Sequence, residues 1–419
     1  MTHLPLRGVR IIDLTRIWAG PHATQLLAFL GAEVIKVEST TYMDIGRFLF
    51  ISEDQLTERP CDHGGYFHIF NMNKYGTTLD LRTERGKKIF EAMVQVSDVV
   101  IDNYTPRVMK NFGFDYPTLK KVRPDIIMVS MPGYGSTGPY RDLMAYGESI
   151  EPNSGISSLT GYDDGPPMRS GIAYGDPIAG YNAAIAILIA LHYRRRTGKG
   201  QYVDVAHMEG LTRLIGEAIV DYTMNGRVRR RIGNLHTSMA PHGAYPCRGD
   251  DMWVAIAVSS DSEWRCLCEA MGAPQLIDDR RFGDVPSRYK NQEELDAIIE
   301  KWTSKRDHHE VMETLQATGV PAGPVLKGPE LFSDPHIKER GTFCEVIFPD
   351  GRRRQLPGLT AKLSRSSTPV RMPPPRLGEH NQFILGELLA LGPGEIRDLE
   401  KEGVIGTAPT FEIDPEELY

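Results

Sequence analysis

Apolar and polar residues alternate along the first half of the chain in short blocks of two kinds. Brief runs rich in Val, Ile and Leu predict buried strands, and stretches with an apolar residue every three or four positions predict helices. The predicted strands are 9–14, 33–37, about 77–81, 98–102 and 125–130, and the predicted helices are about 21–30 and 83–96. This alternation indicates an α/β fold with a mostly parallel sheet covered on both faces. Ligands of such sheets bind at the carboxyl ends of strands, where Asn103-Tyr104 and residues 131–133 fall.

The pattern changes after about Asp221. A polar, arginine-rich passage leads to predicted strands within 243–258, then to predicted helices at 262–271, 292–303 and 308–318. Near the end, the apolar segment 342–348, the turn residues 349–351 and Arg352–Arg354 predict a hairpin, and 381–391 predicts a last helix. We therefore expect a second, smaller domain after the α/β part.

Asp176 stands where a long helix is predicted to begin. Asp is a frequent N-cap residue, Pro177 suits the first helical position, and the mostly apolar run 178–191 ends in three arginines and Gly198. At an N-cap, the free backbone N–H groups and the helix dipole favour an ionised carboxylate, which suits a nucleophile. An Asp-Pro pair is also an ordinary helix cap, so this pair alone does not identify a catalytic residue.

Several segments, in order along nearly the whole chain, match one known family. They are Gly8–Glu38, Asp98–Gly113, Ser130–Pro139, Met168–Gln201, Val320–Val325 and Leu377–His380. With these segments the chain resembles the class III CoA-transferases, which include formyl-CoA and carnitine CoA-transferases. Their number and order carry the resemblance, because no single segment is decisive.

The resemblance implies a fold and a domain division. It implies a Rossmann-like large domain built from residues 1–220 and completed by residues 346–419, with a smaller α+β domain and linkers at 221–345. It also implies that two ring-like subunits interlock as a dimer.

The resemblance places Asp176 on the family's catalytic aspartate and implies transfer of CoA from an acyl-CoA thioester to a carboxylic acid. In chemical terms, a carboxylate that attacks a thioester forms a mixed anhydride and releases CoA thiolate. Attack of the thiolate on the aspartyl carbonyl then gives an aspartyl-CoA thioester, and an acceptor acid reverses the steps. This route requires no metal and no permanently bound cofactor, since coenzyme A is part of the substrate.

Further residues follow from the same match. Arg16, Ile17, Asn103, Tyr104 and Val108 correspond to positions that line the CoA site in relatives. Lys74 and Lys110 are candidates for phosphate contacts, because Lys acts as a point charge for phosphate. We assign Trp18 and Tyr146 to the substrate pocket. Trp18 replaces a glutamine of formyl-CoA transferase and offers a large apolar face, which favours a bulkier aliphatic or aromatic acid.

Three alternatives remain open. An α-methylacyl-CoA racemase shares the aspartate but adds a histidine base after a Gly-Pro-Tyr segment, and no histidine follows Gly138-Pro139-Tyr140. A catalytically silent subunit of a heteromeric transferase is the second. A nicotinamide dehydrogenase is the third, and it is disfavoured because the loop between the first strand and helix has one glycine, Gly20, where the dinucleotide fingerprint needs three.

Composition and charge agree with an enzyme that acts on small molecules. The chain has 419 residues and a formal net charge of −7, which argues against a nucleic-acid partner. Its five cysteines are scattered and His308-His309 is interpreted as a solvated pair, so no metal site is expected. The N-terminus lacks a signal-peptide pattern and the longest apolar run is too short to cross a bilayer. We therefore expect a cytoplasmic protein without a membrane partner.

Overall fold

The computed structural model describes residues 4–51 and 59–411. The described residues form two compact units. The large unit takes the described parts of 1–156, 169–226 and 340–419, and the small unit takes 157–168 and 227–339.

A parallel sheet forms the centre of the large unit. Among the described residues its strands are β1 (Arg10–Asp13), β2 (Glu33–Glu38), β3 (Lys74–Thr78), β4 (Val99–Asp102), β5 (Ile127–Ser130) and β6 (Tyr202–Asp204). They lie in the order β3-β2-β1-β4-β5-β6, and each neighbouring pair is parallel. This is the strand order of the Rossmann fold, so the predicted α/β class is confirmed.

Helices connect and cover these strands. In chain order the helices up to residue 225 are α1 (Ala19–Phe29), α2 (Gly65–Phe70), α3 (Glu84–Gln95), α4 (Arg107–Phe112), α5 (Tyr116–Val122), α6 (Gly147–Asn153), α7 (Ile156–Leu159), α8 (Gly175–Thr197), α9 (His207–Thr212) and α10 (Gly216–Asn225). Of these, α7 lies mostly in the small unit. Ala and Leu side chains of α1 and α8 pack on one face of the sheet, and α3 and α5 pack on the other. Burial on both faces explains why the strands read as continuous apolar runs.

The small unit has its own core. An antiparallel sheet of β7 (His242–Pro246), β8 (Trp253–Ala257) and β9 (Ala322–Pro324) packs with surrounding helices around Trp264, Leu267 and Ile299. After residue 226, the helices of the small unit are α11 (Asp261–Ala270), α12 (Val285–Lys290), α13 (Gln292–Thr303), α14 (His308–Ala317), α15 (Gly328–Ser333) and α16 (Pro335–Glu339), of which α11, α13 and α14 supply residues to the core. The predicted helices at 262–271, 292–303 and 308–318 are thus confirmed to within one residue at each end.

The last part of the chain belongs to the large unit. The predicted hairpin is present as β10 (Phe343–Ile347) and β11 (Arg353–Pro357), which pair antiparallel across the turn. The predicted helix at 381–391 is a shorter π-helical segment, Phe383–Leu388, and α17 (Pro393–Lys401) follows it. Ile384, Leu385 and Ile396 pack into the same core cluster as α3.

Two predicted boundaries are wrong in an informative way. The third strand spans Lys74–Thr78 instead of 77–81, because its first residue is a buried lysine that the apolar pattern does not flag. The long helix begins at Gly175, so its N-cap is Tyr174, and Asp176 lies inside the first turn. Its end at Gly198, with φ +72°, matches the predicted stop.

No helix within residues 4–51 and 59–411 combines the length and the apolar character that crossing a membrane requires.

Charged side chains are buried beneath the carboxyl edge of the sheet. The Lys74 ammonium donates to Asp13 Oδ2 at 3.0 Å, to the Pro21 carbonyl at 2.9 Å and to Asn71 Oδ1 at 2.8 Å. Neither Lys74 nor Asp13 is exposed to solvent. Burial lowers the pKa of Lys74 to about 8, although Asp13 opposes this fall, so the pair persists at neutral pH.

Lys74→Met should destabilise the protein by roughly 3–5 kcal/mol, because it leaves the Asp13 carboxylate buried without its cation. Urea unfolding followed by circular dichroism measures the change. Lys110→Met is the matched control. Because Lys110 is exposed, the free energy of unfolding of this variant should stay within about 0.5 kcal/mol of the wild-type value. Equal effects of the two substitutions would contradict a structural role for Lys74.

Candidate active site

A cavity of about 1090 Å³ lies at the carboxyl edge of the parallel sheet. Segments that follow each of the six strands contribute to its wall, together with α6 and α8. Its lining includes Arg16 and Ile17 after β1, Tyr42 after β2, Arg82 after β3, Asn103, Tyr104, Arg107 and Val108 after β4, Gly133 after β5, His207 after β6, Tyr146, Gly147 and Glu148 at α6, and Asp176 of α8. This is the position at which open α/β sheets bind ligands.

The loop after β1 is held at the point where the strand order reverses. Asn103 accepts a hydrogen bond from the Arg16 backbone N–H and donates one to the Arg16 carbonyl, both at 2.9 Å. Ile17 has φ +67°, a left-handed conformation that β-branched residues rarely adopt. Its N–H donates to Asp44 Oδ1 at 2.9 Å, which fixes this backbone in place. The sequence gives no signal for this strained residue.

The Arg16 guanidinium extends along the cavity wall. It lies over the ring of Tyr42 at 3.8 Å from the centroid and within 5.8 Å of the Tyr104 centroid. All five positions that the family resemblance assigns to the CoA site therefore line one cavity. They are Arg16, Ile17, Asn103, Tyr104 and Val108.

The two predicted lysine contacts differ from this picture. Lys74 is fully buried with its three protons engaged, so its predicted contact with phosphate is incompatible with the packing. Lys110 is exposed on α4 and lies outside the cavity lining. Among the described residues, the cationic side chains of the lining are Arg16, Arg82 and Arg107.

Asp176 lines the cavity from the first turn of α8. Burial raises the pKa of its carboxyl to about 7, and the negative charge of nearby Glu148 adds to the shift. The start of a helix was expected to keep this carboxylate ionised, but the surroundings of Asp176 shift its pKa in the opposite direction. Loss of water and a like charge outweigh the favourable end of the helix dipole.

The backbone at the start of α6 comes very close to this carboxyl. A side chain on Gly147 would place its Cβ 2.5 Å from Asp176 Oδ2 and 2.5 Å from the Ala173 Cβ. Only glycine therefore fits at this position beside the carboxyl. Tyr146, the predicted pocket residue before it, lines the cavity and is largely exposed.

Trp18 does not line the cavity. Its ring stacks on Phe70 at 5.3 Å between centroids and meets the edge of Tyr66 at 6.0 Å. Tyr66 is the member of this aromatic cluster that reaches the wall of the cavity. Burial, followed by the charges of Asp176 and Glu148, raises the pKa of Tyr66 well above its usual range, so its hydroxyl stays protonated. Trp18 thus supports the wall from behind.

Among the lining residues that the sequence analysis did not predict, three carry polar groups near the proposed chemistry: Tyr66, Glu148 and His207. Glu148 follows the predicted pocket residue Tyr146, so adjacency was a usable signal. Tyr66 and His207 carry no local pattern that separates them from core residues, and only the fold brings them to Asp176's cavity.

The small unit contains a second polar cluster. His308 is buried and its Nε2 lies 2.9 Å from Glu330 Oε1, whereas His309 Nε2 lies 4.0 Å from the same oxygen. The interpretation of these histidines as a solvated pair is therefore wrong for His308, which ties the start of α14 to α15.

The model of CoA-transferase family III matches residues 6–381. The chain belongs to CoA-transferase family III. The succinyl-CoA–D-citramalate CoA-transferase of Chloroflexus aurantiacus is 35% identical over 96% of this chain and 98% of its own length. The succinyl-CoA–L-malate CoA-transferase beta subunit of the same organism is 33% identical over 96% of this chain and 99% of its own. A solved CAIB/BAIF family protein from Brucella suis superimposes with a TM-score of 0.83, at 32% identity, over 93% of this chain and 100% of its own.

Family membership gives the cavity a chemical meaning. Family III CoA-transferases use CoA thioesters, so the chain is an enzyme whose substrates are an acyl-CoA and a carboxylic acid. A cavity with arginines in part of its wall and a buried carboxyl in another part suits a ligand that carries phosphates on one side and a reactive carbonyl on the other.

The pH dependence of this CoA-transferase should report the Asp176 carboxyl. A carboxyl must be ionised to act as a nucleophile, and burial raises the pKa of Asp176 to about 7. An enzyme that uses Asp176 in this role should therefore show a fall in kcat/KM as the pH drops below about 7. Glu148→Gln removes the nearby negative charge, lowers the pKa of Asp176 and should move the midpoint to lower pH. Glu91→Gln, at an exposed position of α3, is the control and should leave the midpoint unchanged. An unchanged midpoint in Glu148→Gln would refute the coupling of the two carboxyls.

Proposed function

We propose that this enzyme transfers CoA between carboxylic acids with Asp176 as its nucleophile. The observation that carries the proposal is the position of Asp176 in the wall of the one cavity that also gathers the five family-matched CoA residues. A buried carboxyl beside this surface is suited to attack a thioester carbonyl, because it is partly freed from the water that would solvate its charge.

The covalent chemistry balances without any other reactant. The Asp176 carboxylate attacks the thioester carbonyl, the C–S bond breaks, and an aspartyl mixed anhydride and CoA thiolate result. The thiolate then attacks the aspartyl carbonyl, the anhydride C–O bond breaks, and the donor acid leaves as its carboxylate. The acceptor carboxylate repeats these steps in reverse to become the new acyl-CoA.

The residues around Asp176 fit these steps. Asp176 lies in the first turn of a 23-residue helix, and such a turn favours negative charge that develops nearby. Gly147 has no side chain and so leaves room for the carboxyl, since a Cβ there would lie 2.5 Å from Asp176 Oδ2. Tyr66 keeps its proton and can donate to an oxygen in the cavity.

We place the phosphates of CoA at the arginines of the cavity wall, instead of at Lys74 and Lys110, the two lysines that the sequence predicted. Arg107 is exposed at the start of α4, next to the family-matched Val108. Arg82 also reaches the lining, although it pairs with Asp80 at 2.7 Å. Arginine binds phosphate oxygens through two parallel N–H groups, which supports this placement.

The cavity says less about the identity of the carboxylic acid than about the binding of CoA. The argument for a bulkier aliphatic or aromatic acid depended on Trp18, and Trp18 packs behind Tyr66 instead of facing the cavity. The named relatives use succinyl-CoA as donor, so we take succinyl-CoA as the donor for experiments. The free cysteines of the described chain fit the cytoplasm, where we place the reaction.

Incubation with succinyl-CoA alone should leave CoA covalently attached to the wild-type enzyme at Asp176. Intact-mass analysis should show the mass of CoA minus one water, and hydroxylamine should remove it. Asp176→Ala should show neither adduct nor transfer, with its circular dichroism unchanged. Asp142→Ala, at an exposed aspartate, is the control and should behave as wild type. Full-rate transfer on addition of an acceptor, with no adduct from donor alone, would exclude the aspartyl-CoA route.

We also propose that two copies of the chain associate. Tyr181, Ile185, Ile189 and Tyr193 recur every four residues on α8 and are each more than two-fifths exposed, while Ala179, Ala183 and Ile187 fill the core on the other side. A helix that is apolar on both faces is normally covered on both. The family resemblance supports a second copy as the cover; a related subunit is the alternative, since one relative is a beta subunit.

Light scattering on the purified chain should give a mass twice that of one chain. Ile189→Glu should reduce it to that of a monomer, because the new charge would be buried in the contact. Arg195→Glu adds the same side chain at an exposed position of the same helix and should leave the dimer intact. A monomeric wild-type chain without transferase activity would favour the heteromer.

A further inference from the structure

His207 is a buried side chain in the cavity that the proposed mechanism does not use. It is the first residue of α9, directly beyond the carboxyl end of β6, and only 6% of its surface is exposed. The Met131 backbone forms a weak hydrogen-bonding contact with the ring, and no other described group pairs with either ring nitrogen. Buried polar groups are almost always hydrogen-bonded, so an imidazole with one weak backbone contact in a ligand cavity calls for a ligand atom.

The protonation state of the ring limits what it can bind. Burial lowers the pKa of His207 to about 4, so the ring is neutral near pH 7. A neutral imidazole offers one N–H donor and one lone pair, and carries no charge to attract an anion. A hydroxyl group has the complementary pair of functions on a single oxygen.

Sheet order places His207 away from the arginines of the cavity. Arg82, Arg16 and Arg107 follow β3, β1 and β4, whereas His207 follows β6 at the other edge of the sheet. Neighbouring strands are ~4.8 Å apart, so β6 is separated by roughly 24 Å from β3 and by roughly 10 Å from β4. A ligand with a phosphate at Arg82 therefore has to extend across several strand ends to reach His207.

The residues near His207 form a largely apolar wall. Gly133 accepts the backbone N–H of the following residue, Met208, at 3.0 Å, and a Cβ on Gly133 would touch Ala145 and Ile150. The carboxyls of Asp176 and Glu148 are also part of the cavity lining. These carboxyls would repel a second carboxylate of a substrate, and an unsubstituted alkyl chain would leave the imidazole unpaired.

We propose that His207 binds a hydroxyl group on the carbon chain of the acid, and so makes this enzyme prefer hydroxy acids to unsubstituted acids of the same length. This proposal rests on the proposed transferase function. His207 is a specificity residue in it, since the covalent steps proceed at Asp176.

Acceptors of four carbons provide the test. The kcat/KM for transfer from succinyl-CoA is measured with butanoate, with 2-, 3- and 4-hydroxybutanoate, and with isotopically labelled succinate, because transfer to unlabelled succinate regenerates the starting compounds. The wild type should prefer at least one hydroxybutanoate over butanoate by about tenfold or more, because only that acid pairs the buried ring. His207→Leu and His207→Met should lose this preference while keeping the rate with butanoate within about threefold.

A matched control comes from a second buried histidine. His22 also has a pKa lowered to about 4, mainly by burial, and its Nε2 lacks a partner, but it lies outside the cavity lining. His22→Leu should leave the ratio between hydroxybutanoate and butanoate unchanged. A ratio unchanged in both His207 variants would overturn the proposal, as would a loss confined to succinate, which would assign the ring to a carboxylate.

The aspartyl-CoA adduct, measured in the same preparations, reports the transferase function separately. An adduct in the wild type together with equal rates for butanoate and all three hydroxybutanoates would overturn only the role of His207. Absence of both adduct and transfer would overturn the function and this proposal together.

Discussion

The active cavity depends on charges buried beneath it. Asp13 at the end of β1 accepts hydrogen bonds from Lys74 and from the backbone and hydroxyl of Thr15. Lys36 of β2 donates to the Thr15 carbonyl at 2.7 Å and pairs with Asp44 at 2.9 Å. Together these contacts join β1, β2 and β3 to the segments that follow β1 and β2. The network therefore couples the central sheet to the loop that presents Arg16 and Ile17.

This coupling explains why a strained backbone persists in the wall of the cavity. Left-handed backbone at a β-branched residue costs on the order of 1–3 kcal/mol. Asp44, which pairs with Lys36, accepts a hydrogen bond from the Ile17 N–H. Asn103, which follows β4, accepts a hydrogen bond from the Arg16 backbone N–H. The loop is thus shaped before a ligand arrives, and binding need not order it.

The sequence predicted those parts of the fold that depend on local pattern. Strand and helix periodicity located most elements, because burial on both faces of a parallel sheet leaves apolar runs that are easily read. The pattern failed where a charged residue is buried. Lys74 is the first residue of β3 and lies in the core, but a lysine in the sequence predicted an exposed side chain that contacts phosphate. Asp176 was found from helix signals and resemblance, but its pKa is raised by burial and then by Glu148, and both depend on the assembled fold. Residues such as His207 become recognisable only when the sheet is assembled.

The order of the strands also has a consequence for how such enzymes diversify. The loops after β3, β2, β1 and β4 present the wall that carries Arg82, Arg16 and Arg107, and the segments after β5 and β6 present Gly133 and His207. With CoA placed at the arginines and the acid at His207, as we propose, recognition of CoA and recognition of the acid lie in different stretches of the chain. Substitutions after β5 and β6 would then change the acid site without changing the CoA site. One fold can in this way accept many acids, because the CoA part of the ligand is the same in every acyl-CoA.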